Sequence, residues 1–215
     1  MCIRDRDCPY WTVPYLPIDP NDVGRTYESN VIRINSQSGK GGVGYILQQK
    51  YGINMPAKMK EEMGYLAKSV SDANHKELSP EWIYNIFRQA YVDHTPIFTV
   101  DEWHYKQIEG GIETELYVCR DGKRIPVTGR GNGRLDSVSN TLKRYFQVDF
   151  TLAVYEEHAL NVGSASNAAA YVGILQEGKM FWGAGIDPDI IKASVQALVV
   201  AMNRLEEEMG VFPIK

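Results

Sequence analysis

Between residues 97 and 206 the chain passes twice through the same order of elements, three short β runs followed by an amphipathic helix, and no other feature limits its fold as strongly. In the first pass, Ile97–Gln107 carries β-branched and aromatic residues and Ile112–Cys119 alternates. Asp121-Gly122 is a two-residue hairpin signal before Lys123–Thr128. Gly129-Arg130-Gly131-Asn132-Gly133 then opens a helix to about Gln147, with Leu135, Val138, Leu142 and Tyr145 or Phe146 on one face. In the second pass, strands are expected at about 148–157, 166–176 and 179–184. Asp187-Pro188-Asp189 opens a last helix, whose Ile191, Val195, Leu198, Met202 and Leu205 recur in steps of four and three. Neither helix can bury its stripe alone, so two tandem β-β-β-α units are expected to pack as one α+β domain over 95–215.

The segment before this domain reads differently. Residues 31–94 are expected to form a small helical linker subdomain. Asn35–Gly42 is a polar turn before a short helix, and the stripe Met59, Met63, Leu66, Val70 follows Pro56 at helical spacing. Ser79-Pro80-Glu81 supplies a cap, a first-turn proline and a first-turn acid for a helix burying Ile83, Ile86, Phe87 and Ala90. Gly39-Lys40 invites comparison with a phosphate-binding loop, but no Ser or Thr follows the lysine and no glycine stands at the required earlier position. In residues 9–30, Pro9, Pro14, Pro17 and Pro20 forbid a helix, and the intervening aromatics suit an extended strap laid on another domain. Residues 1–8 are read as a foreign start, because Met1–Arg6 resembles the translation of a sequencing adapter.

A formal charge of −4 with both signs interleaved offers no basic stripe, which argues against nucleic acid as a partner. Cys2, Cys8 and Cys119 are scattered and odd in number, the usage of a reducing cytoplasm, and no run approaches the roughly 20 apolar residues of a membrane span. A cytoplasmic protein with no membrane partner is expected.

Several of these runs resemble the 2-isopropylmalate synthase family. Asp22–Glu28 and Ile32–Val43 are similar to its linker subdomains, and the likeness continues through Gly129–Gly133, Tyr155–Leu160, Ala168–Tyr171 and Gly183–Asp187. The resemblance covers essentially all of residues 9–206. It implies a homodimer in which an amino-terminal barrel, missing here, condenses acetyl-coenzyme A with 2-oxoisovalerate. The barrel would use a divalent metal held by carboxylate and His-x-His ligands. His75, His94, His104 and His158 are the only histidines and none has that spacing, so no metal or cofactor is expected in this portion, which alone should be inactive. Tyr27 matches a linker tyrosine that reaches the family's active site as an accessory catalytic residue; the plainer reading is a packing tyrosine.

The start of the first repeat's helix admits two readings. Gly131-Asn132-Gly133 at a helix start exposes backbone N–H groups at the positive end of a helix dipole, which suits a carboxylate. From composition alone, an ordinary glycine-rich strand-to-helix turn is the favoured reading. The resemblance selects the first reading and implies leucine, bound between paired domains, with matching positions Gly131, Gly133, Leu135, Asp136, Tyr155, Ala159 and Ser166; Asn132 would add a polar contact. Small side chains at Ala159 and Ser166 would leave room for a branched ligand. Two other readings stay open: the isoleucine-responsive domain of a citramalate synthase, against which the Ser36–Gly42 run counts, and a free-standing amino-acid-binding module regulating a partner protein.

Overall fold

The computed structural model describes residues 18, 20–24, 40–161, 163 and 166–213. Pro20–Val23 is a single 3-10 turn with Val23 exposed. The rest of the proline-rich strap, the β-like run at Val31–Ile34 and Tyr27 lie outside the described residues.

Three helices come first: α1 (Lys40–Tyr51), α2 (Ala57–Asn74) and α3 (Pro80–Tyr91). Gly41 and Gly42, expected in a turn, instead lie inside the first turn of α1, where Val43, Ile46 and Leu47 must be carried into the core. The methionine stripe of α2 is buried at Met59 and Met63 and half-buried at Leu66 and Val70. Ser79 caps α3 as its sequence implies, its Oγ accepting the N–H of Trp82 at 3.2 Å.

Two three-stranded antiparallel sheets follow, each closed by a helix, so the expected α+β class and the tandem β-β-β-α order are both observed. The first unit is β1 (Thr99–Ile108), β2 (Gly111–Arg120), β3 (Lys123–Gly131) and α4 (Arg134–Phe146). The second is β4 (Thr151–Ala159), β5 (Ala168–Gln176), β6 (Lys179–Asp187) and α5 (Ile190–Met209). Strand order is sequential in both sheets. Asp121 and Gly122 both have positive φ, the geometry a two-residue hairpin needs, and Glu177-Gly178 repeats it in the second unit. The two first strands even share a defect, a register shift after Val100 in β1 and after Leu152 in β4.

Two cores hold these layers. In one, Leu116 and Val118 of the first sheet, Val172 and Ile174 of the second, Val138 and Leu142 of α4, and Leu198 and Met202 of α5 pack together. Phe146 at the end of α4 stacks on Phe212 at 4.1 Å and meets Phe98 at 4.5 Å. In the other core, α1–α3 lie on the opposite face of the second sheet, against Tyr171, Trp182 and Ala184. Close approach of α5 to its sheet depends on Gly183: a methyl group there would overlap the carbonyl of Ala197 and the N–H of Ala201. Asn203 of α5 fastens the entry to β1. Its Oδ1 accepts the N–H groups of Ile97 (2.8 Å) and Phe98 (2.9 Å), and its Nδ2 donates to the carbonyls of Phe98 and Val199 at 2.9 Å each.

Candidate functional site

The first turn of α4 is where local sequence and packing combine most unusually. Gly131 ends β3 with its backbone pressed on α4, since a Cβ would overlap the N–H of Ser137 and the carboxylate of Asp136. Gly133 is the N-cap, with φ −144 and ψ 176, and it brings no side chain to bond the first-turn amides. A Cβ on Gly133 would meet nothing within 4 Å, so there is room beside the N-cap. The first N–H groups of any α-helix lack intrahelical partners, and here they keep the partial positive charge of the helix end.

Asp136 stands beside this opening. Its Oδ2 accepts the N–H of Asn132 at 2.8 Å and Nδ2 of Asn140 at 3.3 Å, while Asn140 also donates to the carbonyl of Arg130 at 3.2 Å. The turn is thereby held by side chains placed one helical turn apart. Thr114 and Ser137 hydroxyls hydrogen-bond in the buried layer beneath, tying α4 to β2.

An open groove of about 510 Å³ runs from there between α4 and β4. Leu135, Phe150, Leu152 and Tyr155 give it apolar surface, and Asp136, Asn140 and Lys143 give it polar atoms. Nζ of Lys143 lies 4.7 Å from the centre of the Phe150 ring and 3.8 Å from Oδ1 of Asp149. Tyr155 hydrogen-bonds to Oγ of Ser194 on α5 at 2.8 Å and to Glu157. Burial, and then the Glu157 contact, push the Tyr155 phenol up from its ordinary value, so it stays protonated at neutral pH.

The groove gathers Leu135, Asp136 and Tyr155 from the sequence-derived set; Gly131, Asn132 and Gly133 are not in its lining but precede it in the chain, with the Asn132 N–H bonded to Asp136. Ala159 and Ser166 stand apart from it. Ala159 is the exposed last residue of β4, opposite Ala168, and the Ser166 hydroxyl accepts from the Asn161 N–H at 2.9 Å and donates to the carbonyl of Asn167 at 3.0 Å. Sequence reasoning missed Asn140, Lys143, Phe150 and Leu152. The helical period places Asn140 and Lys143 on the same face as Asp136, but nothing local says that β4 of the next unit faces them.

His158 joins this strand to the helices: Nε2 lies 2.9 Å from the carbonyl of Gly52, and its ring stacks on Tyr171. His94 pairs with Glu207 at 3.0 Å and His104 with Glu102 at 3.1 Å. Among the described residues no three His, Cys, Asp or Glu side chains are grouped to hold a metal. None of the described helices is long and apolar enough to cross a membrane.

Fold and groove together define an α+β module of paired β-β-β-α units, with a ligand-sized opening at one helix start. Residues 77–206 match the LeuA allosteric (dimerisation) domain, and the chain belongs to that family. Residues 2–48 match the post-catalytic domain of alpha-isopropylmalate synthase. The chain is 47% identical over 210 residues to 2-isopropylmalate synthase of Helicobacter hepaticus, 45% identical to that of Desulfitobacterium hafniense and 42% identical to that of Agrobacterium fabrum. These alignments cover 94%, 94% and 96% of this chain but 38%, 36% and 38% of those proteins, so the chain spans little more than a third of their length. The resemblance carried by the motifs is thus found along nearly the whole chain.

Proposed function

We propose that this chain is the linker and leucine-binding part of a cytoplasmic 2-isopropylmalate synthase, with residues 31–94 as connecting subdomain and 95–215 as sensor. The observation that carries the reading is the start of α4, uncapped by any side chain at Gly133, together with the adjoining groove that Leu135, Asp136 and an apolar wall line. Free leucine needs these three things. Its carboxylate would take the first-turn amides of α4, its ammonium would exchange with the Asn132 N–H at Asp136, and its isobutyl group would cover Leu135, Phe150 and Leu152.

In this reading two copies pair through the sensor domains, and leucine favours the arrangement in which the barrel of the whole enzyme condenses acetyl-coenzyme A with 2-oxoisovalerate less well. Such coupling is typically about 1–3 kcal/mol and requires leucine to bind one arrangement better than the other. Tyr27 would act at the barrel's active site, and the divalent metal would belong to the barrel, leaving this chain alone without turnover.

Calorimetric titration of the 215-residue chain with leucine and, separately, isoleucine tests the assignment. Saturable heat with leucine, weaker with isoleucine, is expected. Preference for isoleucine would move the chain to the citramalate synthase reading, and no heat with either at millimolar concentration would sink the amino-acid sensor.

A further inference from the structure

The groove beside α4 has a counterpart that neither the motifs nor the family description assigns. A second cleft, of about 570 Å³, lies between α5 and β1. It is lined by the first, second and fifth residues of β1 (Thr99, Val100, Trp103), the strand positions that Thr151, Leu152 and Tyr155 fill in β4. From α5 it takes the sixth, seventh and tenth residues (Val195, Gln196, Val199), where α4 offers Ser139, Asn140 and Lys143. Each helix therefore forms a groove with the first strand of the other unit, and internal duplication has produced two related openings rather than one.

The chemistry of the two differs at the anionic end. Asp189 caps α5, its Oδ1 accepting the N–H of Ile191 at 2.8 Å and of Lys192 at 3.4 Å, so the α5 amides are already taken. In their place the α5 cleft has a wall from α3 and the connection to β1, which the α4 groove lacks. On that wall Arg88 grips Asp93 through two hydrogen bonds of 2.6 and 2.9 Å. The pair is 44% and 50% exposed, and ion pairs in that setting contribute little, so exchanging each partner for a ligand ion costs little. The side-chain amides of Gln196 and Asn167, also in the lining, have no hydrogen-bond partner among the described residues. Val100, Trp103, Val195 and Val199 make the floor apolar.

We propose that the cleft between α5 and β1 is a second site for a short branched α-amino acid, with its carboxylate on Arg88, its ammonium on Asp93 and its side chain on the Trp103–Val199 floor. The choice of ligand class rests on the reading of the α4 groove given above. A ligand held there touches α3 and α5 at once, so it would brace the helical subdomain against the second sheet, a contact that the α4 groove does not make.

The test is a titration of the isotopically labelled full chain with leucine, isoleucine and valine. The indole N–H of Trp103 reports on the α5 cleft and the side-chain amide of Asn140 on the α4 groove. The Trp103 signal is expected to move saturably. Arg88→Gln should weaken its midpoint at least tenfold and Gln196→Trp, which fills the opening, should abolish it, while the Asn140 midpoint stays unchanged in both. If Asn140 titrates and Trp103 does not, the second site is overturned and the α4 reading stands. A Trp103 response whose midpoint survives both variants is transmitted from the other groove and also overturns it. Movement of Trp103 alone, lost in the variants, keeps the second site and removes the α4 reading; movement of neither removes both.

Discussion

Nη2 of Arg204 lies 2.9 Å from Oε1 of Glu62, joining α5 to α2 across 142 residues of chain. The same guanidinium donates to the carbonyl of Trp182 at 2.9 Å and stands 4.8 Å from the Tyr91 ring centre, and the Tyr91 hydroxyl donates to Glu62 at 3.0 Å. One side chain thus satisfies groups on α2 and β6 while covering α3. Arg204→Ala should lower unfolding free energy by about 1–3 kcal/mol, because partly buried acceptors lose a charged donor. Urea midpoints of Arg204→Ala, Glu62→Gln and the double variant check this: strongly non-additive losses are expected, and additive ones would show that the two groups act independently.

Gly133 has extended backbone and free space, so a serine fits. Its hydroxyl would cap the α4 amides and stabilise the helix by a few tenths of a kcal/mol, roughly the difference between glycine and serine at an N-cap. It would also occupy the proposed carboxylate site. Gly133→Ser should therefore hold or raise Tm while weakening leucine at least tenfold, the factor expected if a charge-assisted hydrogen bond of about 1.5–3 kcal/mol is lost. Thermal unfolding and calorimetry on the same sample separate these effects.

Gly183→Ala is expected to do the reverse of a harmless methyl addition. The new Cβ would push on the α5 backbone at Ala197 and Ala201, which cannot rotate away. A loss of about 1–3 kcal/mol is expected from such overpacking, read as a lower denaturant midpoint with unchanged slope.

Tyr105 is half-buried, its hydroxyl oxygen is enclosed without a hydrogen-bond partner, and desolvation pushes its phenol up to about 12. Burial also drives Tyr91 and Tyr171 upward. A phenol whose pKa is higher folded than unfolded contributes stability that is intact below the unfolded value near 10 and is lost as pH rises through the folded value. Stability should accordingly fall between about pH 10 and 12. Tyr105→Phe should reduce that fall and be neutral or stabilising at pH 7, since it removes an unsatisfied buried hydroxyl. Urea unfolding at pH 7, 10 and 11 measures both.

Much of the fold was legible where local chemistry and tertiary demand agree. Ser79-Pro80 marked the start of α3, Asp121-Gly122 the β2–β3 turn, and the Val195–Leu198–Met202–Leu205 stripe the buried face of α5. Boundaries set by pairing were not. β3 was expected to end at Thr128 but runs to Gly131, because Gly129, Arg130 and Gly131 pair with Thr114, Glu113 and Ile112. Likewise, glycines at the α4 start were visible as an anion-binding possibility, whereas Phe150 and Leu152 become groove walls only when the second unit docks beside α4. Periodicity reports which face of an element is buried but not which distant element covers it.

The clasp of Asn203 on Ile97 and Phe98 spans 106 and 105 residues. On a translating ribosome, the β1 hairpin emerges long before its fastener has been made. The first sheet can therefore pair early but must wait, with its entry loosely held, for α5 to arrive. Non-local closures of this kind slow folding, which makes the interval before α5 is synthesised the time when chaperones have most to protect.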